Sequence, residues 1–406
     1  MSVDALIQQQ MPGMIELRHR LHQIPELGYQ EHKTAQTIRQ ELDRLAIEYV
    51  SGVPDAPTAT ICWIGDARKP CVALRADIDA LPIEERTGLA YASRHDGRMH
   101  ACGHDGHISI LMGAAAVLRS IADELDVCVK LIWQPAEEGG GGARRLCEAG
   151  VLDGRIGPEV RAIFGLHGWP GLPVGCVSTR PGPLLAATDC FVATFTGKGC
   201  HGAFPHLGRD PIVAACQAVI NLQQVVSREL DPTEPAVITV GRFHAGTATN
   251  VIPNCATIEG TARTLSDAAR RLVESSIRRR CQGIAAACDC HLEFVWEQGY
   301  PPTVNDPAMA EYVSQVARAT LGAERFIPAA RPAMGGEDFA FYLEKVPGCF
   351  LLIGVRPLER SEYPSLHSDQ FDFTDDALAV GVRMFVELAR GFAARQSQVG
   401  RGPFSA

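Results

Sequence analysis

The chain has 406 residues, of which 46% are apolar and 21% charged; it is too long for one ordinary core, and its composition predicts folded structure arranged in two domains. A formal charge of −9 with no long basic run excludes a nucleic-acid partner, because phosphate binding needs clustered Lys and Arg. No stretch approaches the roughly 20 apolar residues of a membrane span, which excludes a membrane protein of the helical kind.

The N-terminal segment is broken by Asp4 and by Gln8, Gln9 and Gln10, so no signal peptide is expected. The fourteen cysteines are scattered and then read as reduced thiols in a cytoplasm. Cys288 and Cys290 are the closest pair, and no His or second pair completes a zinc module around them. Apolar periodicity predicts helix over 14–46, split by a turn from Pro25 to Gly28. Strands are expected at 58–65, 71–77, 127–134 and 161–167, with helices at 105–122 and 140–149 among them. That alternation predicts an α/β domain whose sheet is covered by helices. From Gly182 the order becomes strand (189–197), helix (209–229), strand (236–244), strand (255–264), helix (265–286) and strand (290–297). This is the ferredoxin-like β-α-β-β-α-β order of a self-contained α+β insert. A helix (306–321), a strand (349–355) and a last helix (374–395) return to the first domain. The expected division is therefore 1–182 with 299–406, and 183–298.

Four clusters place metal-capable side chains where strands should end, the place where open α/β sheets gather ligands. In RADIDALPI, Asp77 and Asp79 are two residues apart and share one side of an extended segment, although Asp before Pro82 also suits a plain turn. In MHACGHDGH, Cys102 and His104 flank Gly103; thiolate and imidazole both suit zinc-like ions. Asp105 falls where a helix N-cap is expected, and His107 reads as a helix-surface or supporting residue. In QPAEEGGGGA, Glu137 and Glu138 should repel each other unless a cation intervenes, which leaves one carboxylate to ligate and the other to act as a base. The glycines lack the Lys-Ser/Thr and the spacing of a phosphate loop. In GLHGWP, His167 is read as ending its strand; His367, in SLHSDQFDF, is a fifth candidate.

These motifs, followed in order by GKGCHGAFPH, NVIPNCATIEGTART and GGEDFAFY, resemble the co-catalytic metallo-aminoacylases and carboxypeptidases. The resemblance covers about Leu17 to Ala393 and is closest to the branch of hippurate hydrolase and the auxin-conjugate hydrolases. It implies a metal-dependent amidohydrolase that cleaves N-acyl amino acids or small peptides, with two divalent ions per subunit (Zn, Mn, Co or Ni). Cys102, His104, Glu138, His167 and His367 would be the ligands, Glu137 the general base to metal-activated water, and Asp79 a residue orienting a ligand. Where the wider family has His-x-Asp, this chain has Asp77-Ile78-Asp79, and His104 takes over the ligand's part; Cys102 stands where the wider family bridges with a carboxylate. The 183–298 insert would be a lid that forms a homodimer. In it His201 would steady the oxyanion in the partner's site, and Asn250 and Arg263 would bind the substrate carboxylate. The rival readings are a dipeptidase or carboxypeptidase of the same family, a thiol hydrolase with Cys102 as nucleophile and His104 as base, and a non-catalytic metal-binding relative.

Overall fold

The computed structural model describes residues 1–399; the end of the expected 299–406 segment, residues 400–406, lies outside the described residues. In chain order the elements begin with α1 (Val3–His22), α2 (His32–Arg44), β1 (Tyr49–Val53), β2 (Ala56–Ile64), β3 (Cys71–Asp77), α3 (His104–Ser120), β4 (Cys128–Gln134), α4 (Gly142–Ala149), β5 (Val160–Pro173) and β6 (Val177–Ser178). Then come β7 (Gly182–Leu185), β8 (Ala187–Thr196), β9 (Cys200–His201), α5 (Pro211–Gln224), β10 (Ala236–Ala245), β11 (Val251–Ile252), β12 (Cys255–Thr264), α6 (Asp267–Ala287) and β13 (His291–Gln298). The chain closes with β14 (Thr303–Asn305), α7 (Pro307–Leu321), α8 (Ala340–Leu343), β15 (Gly348–Arg356) and α9 (Ala377–Val399). The first helix starts earlier than its apolar pattern suggests, at Val3, because Ser2 caps it by accepting the Ala5 N–H at 3.3 Å.

The chain divides into two compact units, one of Met1–Gly182, Val304–Ala330 and the chain from Phe341 onward, the other of Pro183–Thr303 with Arg331–Ala340. Segment Arg331–Ala340 joins the second unit through backbone pairing: Ala333 donates to the Leu184 carbonyl at 2.9 Å and Ala186 to the Gly335 carbonyl at 2.8 Å.

The first unit is built on a seven-stranded sheet of order β1-β2-β4-β3-β5-β15-β6. Its centre, β4-β3-β5-β15, is parallel, while β2, β1 and β6 pair antiparallel at the flanks. Every residue of β3 and β4 is buried, as expected of central strands covered on both faces. Successive strands fall on opposite sides of β3: the chain goes from β3 to β4 on one side, then to β5 on the other. Such a reversal opens a crevice at the carboxyl ends of the strands. Helix α3 is buried from His104 to Leu118 and packs against α1, α9 and the sheet.

A buried charge network ties α1 to α3. Arg18 reaches Asp105 (3.4 Å), Asp372 (2.9 Å) and Asp375 (2.6 Å), and His22 Nδ1 meets Asp105 Oδ2 at 2.9 Å. Burial alone would push His22 down, but Asp105 and Glu85 outweigh it and raise its pKa to about 9. A histidine raised above its unfolded value contributes stability that is complete below about pH 6.5 and is lost as pH climbs through the folded value. Urea unfolding is expected to show a stability loss between pH 6 and pH 9.5 that is smaller by roughly 3 kcal/mol in His22→Gln than in wild type. An equal pH dependence in the variant would remove His22 as the source.

The second unit has a four-stranded antiparallel sheet of order β10-β12-β8-β13. Taken with α5 between β8 and β10 and α6 between β12 and β13, this is ferredoxin-like connectivity. Phe191, Phe195, Ala214, Leu222, Val273 and Ile277 form its core between sheet and helices. The expected helix 209–229 is α5 followed by a single π turn over Val225–Glu229.

Candidate active site

The crevice is built around the ends of β3 and β4. Asp77, the last residue of β3, pairs with Gln134, the last of β4, so the two following segments leave the sheet side by side. Arg75 is fully buried and braces both ends, donating to Asp77 Oδ2 at 2.7 Å and to Gln134 Oε1 at 2.8 Å. The second Asp77 oxygen lies 2.6 Å from His107 Nδ1. Burial disfavours the Asp77 carboxylate, but His104, Arg75 and His107 outweigh it and hold it ionised, well below the usual carboxylate range. Both Asp77 oxygens are thus engaged by protein partners, and its carboxylate also lies within 4.8 Å of donor atoms of His104 and His107 in a further group that could hold an ion.

Gly103, with φ of 82°, turns the chain between Cys102 and His104; a Cβ there would sit 2.8 Å from the Phe373 ring. The turn brings Cys102 Sγ to 3.3 Å from His167 Nε2. His104 Nδ1 lies 2.8 Å from the Asp79 carbonyl, which can only accept, so Nδ1 carries a proton and Nε2 is the nitrogen that can offer a lone pair once it is deprotonated. His167 is fixed the same way by the Gly168 carbonyl at 2.8 Å. The Gly168 N–H donates to His107 Nε2 at 2.8 Å, so both His107 nitrogens are used. Burial and the neighbouring His107 hold His167 neutral, well below the usual histidine range.

After β4, Ala136 takes a left-handed φ of 54° and turns the next two residues out of the sheet. Glu137 is 6% exposed. The Glu138 N–H donates to Asp79 Oδ2 at 2.9 Å, which gives Asp79 its supporting position. The glycines that follow serve backbone geometry: a Cβ on Gly142 would meet the Pro135 carbonyl oxygen at 1.7 Å, so only glycine lets the turn fold back this tightly. His367 also sits at a left-handed φ, 64°, and is pinned by its N–H to the Ala101 carbonyl at 2.8 Å. Its Nε2 lies 3.1 Å from Glu138 Oε1. Strained non-glycine backbone of this kind costs on the order of 1–3 kcal/mol and clusters at functional sites.

The donor atoms of Cys102, His104 and His167 lie within 4.8 Å of one another; so do those of Cys102, Glu138 and His367, and of His104, Glu137 and Glu138. Cys102 belongs to two of these sets, so one thiolate could serve two ions. His104 Nε2 is buried without a hydrogen-bond partner, a costly state that a cation would relieve. A thiol, two Nε2-presenting imidazoles and a carboxylate are chemically a good donor set for zinc-like ions. Burial, together with Glu138, Glu137 and Asp77, pushes the Cys102 thiol far up, so it is a poor nucleophile by itself. His104 is pulled down by burial, but Asp77 and Asp79 outweigh this and raise it to about 10. Metal uptake must therefore displace a proton.

Several expectations need correction. His167 does not end its strand: β5 continues to Pro173 because β15 pairs with it from Gly348↔Ile163 to Arg356↔Pro173. His167 is still open to the crevice, since the pairing with β3 stops at Arg75↔Gly165. Asp105 is not the N-cap of α3, a position held by Gly103; its carboxylate is drawn into the Arg18–His22 network. His107 is not on the helix surface but wholly buried. The bracing by Arg75 and the left-handed Ala136 escaped sequence reasoning, since neither residue type nor spacing marks them. In the second unit, His201 pairs with Val251 across the β9–β11 ribbon, and the Asn250 carbonyl accepts the Gly202 N–H at 2.7 Å, so both residues share one exposed ribbon. Arg263, in β12, is half-buried, with Nη1 donating to the Ala262 carbonyl at 3.1 Å.

The fold and the donor set define a hydrolase of the metal-dependent α/β class. The chain belongs to peptidase family M20/M25/M40, whose family model matches residues 73–391. It is 43% identical over 377 residues to an N-acetylcysteine deacetylase of Bacillus subtilis (strain 168), covering 93% of this chain and 96% of the relative. It is 41% identical over 382 residues to an IAA-amino acid hydrolase of Arabidopsis thaliana, covering 93% and 84%. Among solved structures it is similar to a Bacillus subtilis protein described as a dinuclear metal-binding peptidase of the same family. That match has a TM-score of 0.80 and 40% identity, covering 94% of this chain and 98% of the other.

Proposed function

We propose that this protein is a metal-dependent amidohydrolase that splits N-acyl-L-amino acids into a carboxylic acid and a free amino acid. The observation that carries the reading is the meeting of Cys102, His104, His167, Glu138 and His367 in one crevice, with Glu137 beside them. These five residues would hold two divalent ions; thiolate and imidazole favour zinc, and manganese, cobalt or nickel also suit the set. Lewis acidity toward the attacking water and the amide carbonyl is what the metal pair supplies when bound. Glu137 takes the proton from that water and returns it to the leaving amine. Asp79 keeps His104 and the Glu138 peptide in position. The test is hydrolysis of a panel of N-acyl amino acids (acetyl, benzoyl and indole-acetyl) beside dipeptides, after reconstitution with each metal. No turnover of the acyl compounds with any metal would overturn the reading. Faster turnover of the peptides would make the protein a dipeptidase or carboxypeptidase instead.

The second unit is proposed to be a lid that forms a homodimer, in which His201 donates to the oxyanion in the partner's site and Asn250 and Arg263 hold the substrate carboxylate. Supporting this, His201 lies on an exposed ribbon with its ring 5.4 Å from that of Phe204, and the second unit leaves Phe204, Leu207, Val213 and Ile220, large apolar side chains, in solvent. Mixing inactive Glu137→Gln with inactive His201→Ala subunits is expected to restore up to roughly a quarter of wild-type activity, because half of the subunits in a random mixture of dimers sit in mixed dimers, each with one intact site. No recovery in mixtures shown to exchange subunits would exclude action across the dimer. All fourteen cysteines are free thiols, which supports work in a reducing compartment such as the cytoplasm. No described helix is long and apolar enough to cross a membrane.

A further inference from the structure

Glu137 lies between two peptide N–H groups that are each captured by a buried carboxylate from elsewhere in the first unit. Glu138 N–H goes to Asp79, as described above. Ala136 N–H donates to Glu31 Oε1 at 2.9 Å. Glu31 is fully buried, and its other oxygen accepts the Thr58 hydroxyl at 2.8 Å, which fixes its rotamer. The whole turn between α1 and α2 clasps the two strand-end segments. Ala80 N–H donates to the Glu26 carbonyl at 2.8 Å, and the Tyr29 hydroxyl donates to the Gly140 carbonyl at 2.8 Å. Tyr29 itself is held at a left-handed φ of 61°.

The direction of the Glu137 side chain is set by the peptides on either side of it. Ala136 must stay left-handed for that direction to hold, an arrangement an alanine leaves readily when nothing restrains it. The hydrogen bond from Ala136 N–H is such a restraint, and a buried acceptor makes it costly to break.

We infer that Glu31 is a positioning residue of the reaction: it holds the Ala136 peptide so that Glu137 faces the attacking water. The inference rests on Glu137 being the general base. Glu31→Met keeps length and volume but removes the acceptor. In that variant kcat should fall roughly 10- to 100-fold, as expected when a reacting group is misplaced by about an ångström. KM should stay within about twofold of wild type, because ground-state binding is untouched. Metal content by elemental analysis should not change, and urea unfolding should remain cooperative. Glu31→Gln should restore kcat to within about threefold, since its amide oxygen accepts from Ala136 and its NH₂ donates to the Thr58 oxygen. A residue needed for stability alone would shift the urea midpoint and leave kcat of the folded enzyme intact.

Wild-type kcat in metal-loaded Glu31→Met overturns the inference, and so does a Glu31→Gln variant as slow as Glu31→Met. If Glu31→Met does not fold, Glu31→Asp decides: one methylene short, it should lose kcat at constant KM, and a wild-type kcat would again be fatal. A wild-type protein that hydrolyses no N-acyl amino acid would sink the assignment of Glu137 instead. Crystal structures of Glu31→Met and Glu31→Gln would then still test the positioning, through whether Ala136 leaves its left-handed conformation only in the first.

Discussion

Glu137→Gln is expected to keep its metal and its fold and to turn over roughly 10²–10⁴ times more slowly than wild type, the usual value of a general base. The adjacent Glu138→Ala should instead lose metal and activity together. The two side chains share their chemistry but not their surroundings. Glu138 Oε1 lies 3.1 Å from His367 Nε2, and a Glu138 carboxylate oxygen lies within 4.8 Å of the Cys102 thiol. Burial alone would raise the Glu138 carboxyl, but His367 and His104 outweigh it and hold it below its usual value, the state a ligand requires. Glu137 is the more buried of the pair and follows directly on the left-handed Ala136 that turns it out of the sheet. A glutamine there fills the same space and removes only the proton acceptor. The loss should therefore appear in kcat with little change in KM, since the interaction acts in the transition state. Elemental analysis of both variants beside their kinetics decides the matter. Metal lost from Glu137→Gln and kept by Glu138→Ala would reverse the two roles, and a near-normal kcat in metal-loaded Glu137→Gln would place the base elsewhere.

Cys102→Ser should be more damaging than His167→Ala or His367→Ala at the proposed metal site, with activity down by roughly 10³-fold or more, several kcal/mol of lost Lewis-acid stabilisation at about tenfold per 1.36 kcal/mol. Cys102 is the one residue common to the set with His104 and His167 and the set with Glu138 and His367. Its loss strikes both positions at once, whereas His167→Ala or His367→Ala removes a donor from one. The thiol is buried among carboxylates that push its pKa up, so in the protein without metal it keeps its proton and contributes nothing as an anion. A serine hydroxyl is isosteric but far harder to ionise and a weaker partner for a soft ion. The variant should fold, give the far-ultraviolet circular dichroism of wild type, and bind less than half of the wild-type metal. Full metal content with lost activity would instead argue for Cys102 as nucleophile, and full activity would remove it from the site.

Much of this protein was legible in the sequence because its elements are regular. β3 matched its expected bounds at both ends, since a run of apolar residues closed by Asp77 leaves little choice. The ferredoxin-like order of the second unit was equally plain from alternating strands and long amphipathic helices. The spacing Cys102-Gly103-His104 and the doublet Glu137-Glu138 stood out as metal-capable side chains, and the structure brings their donor atoms within 4.8 Å of those of other such residues.

What lies beyond the chain's local order belonged to the tertiary structure. That His104 and His167 both present Nε2 depends on carbonyls of Asp79 and Gly168, and the tautomer follows from those contacts and not from residue type. That Asp77 and Asp79, two residues apart with one chemistry, take different partners depends on Arg75 and His107 reaching the first and the Glu138 peptide reaching the second. Glu31 gave no signal at all, for it stands 105 residues from the alanine it holds. A sequence carries the donors; which lone pair faces the crevice is decided by hydrogen bonds between segments that only packing brings together.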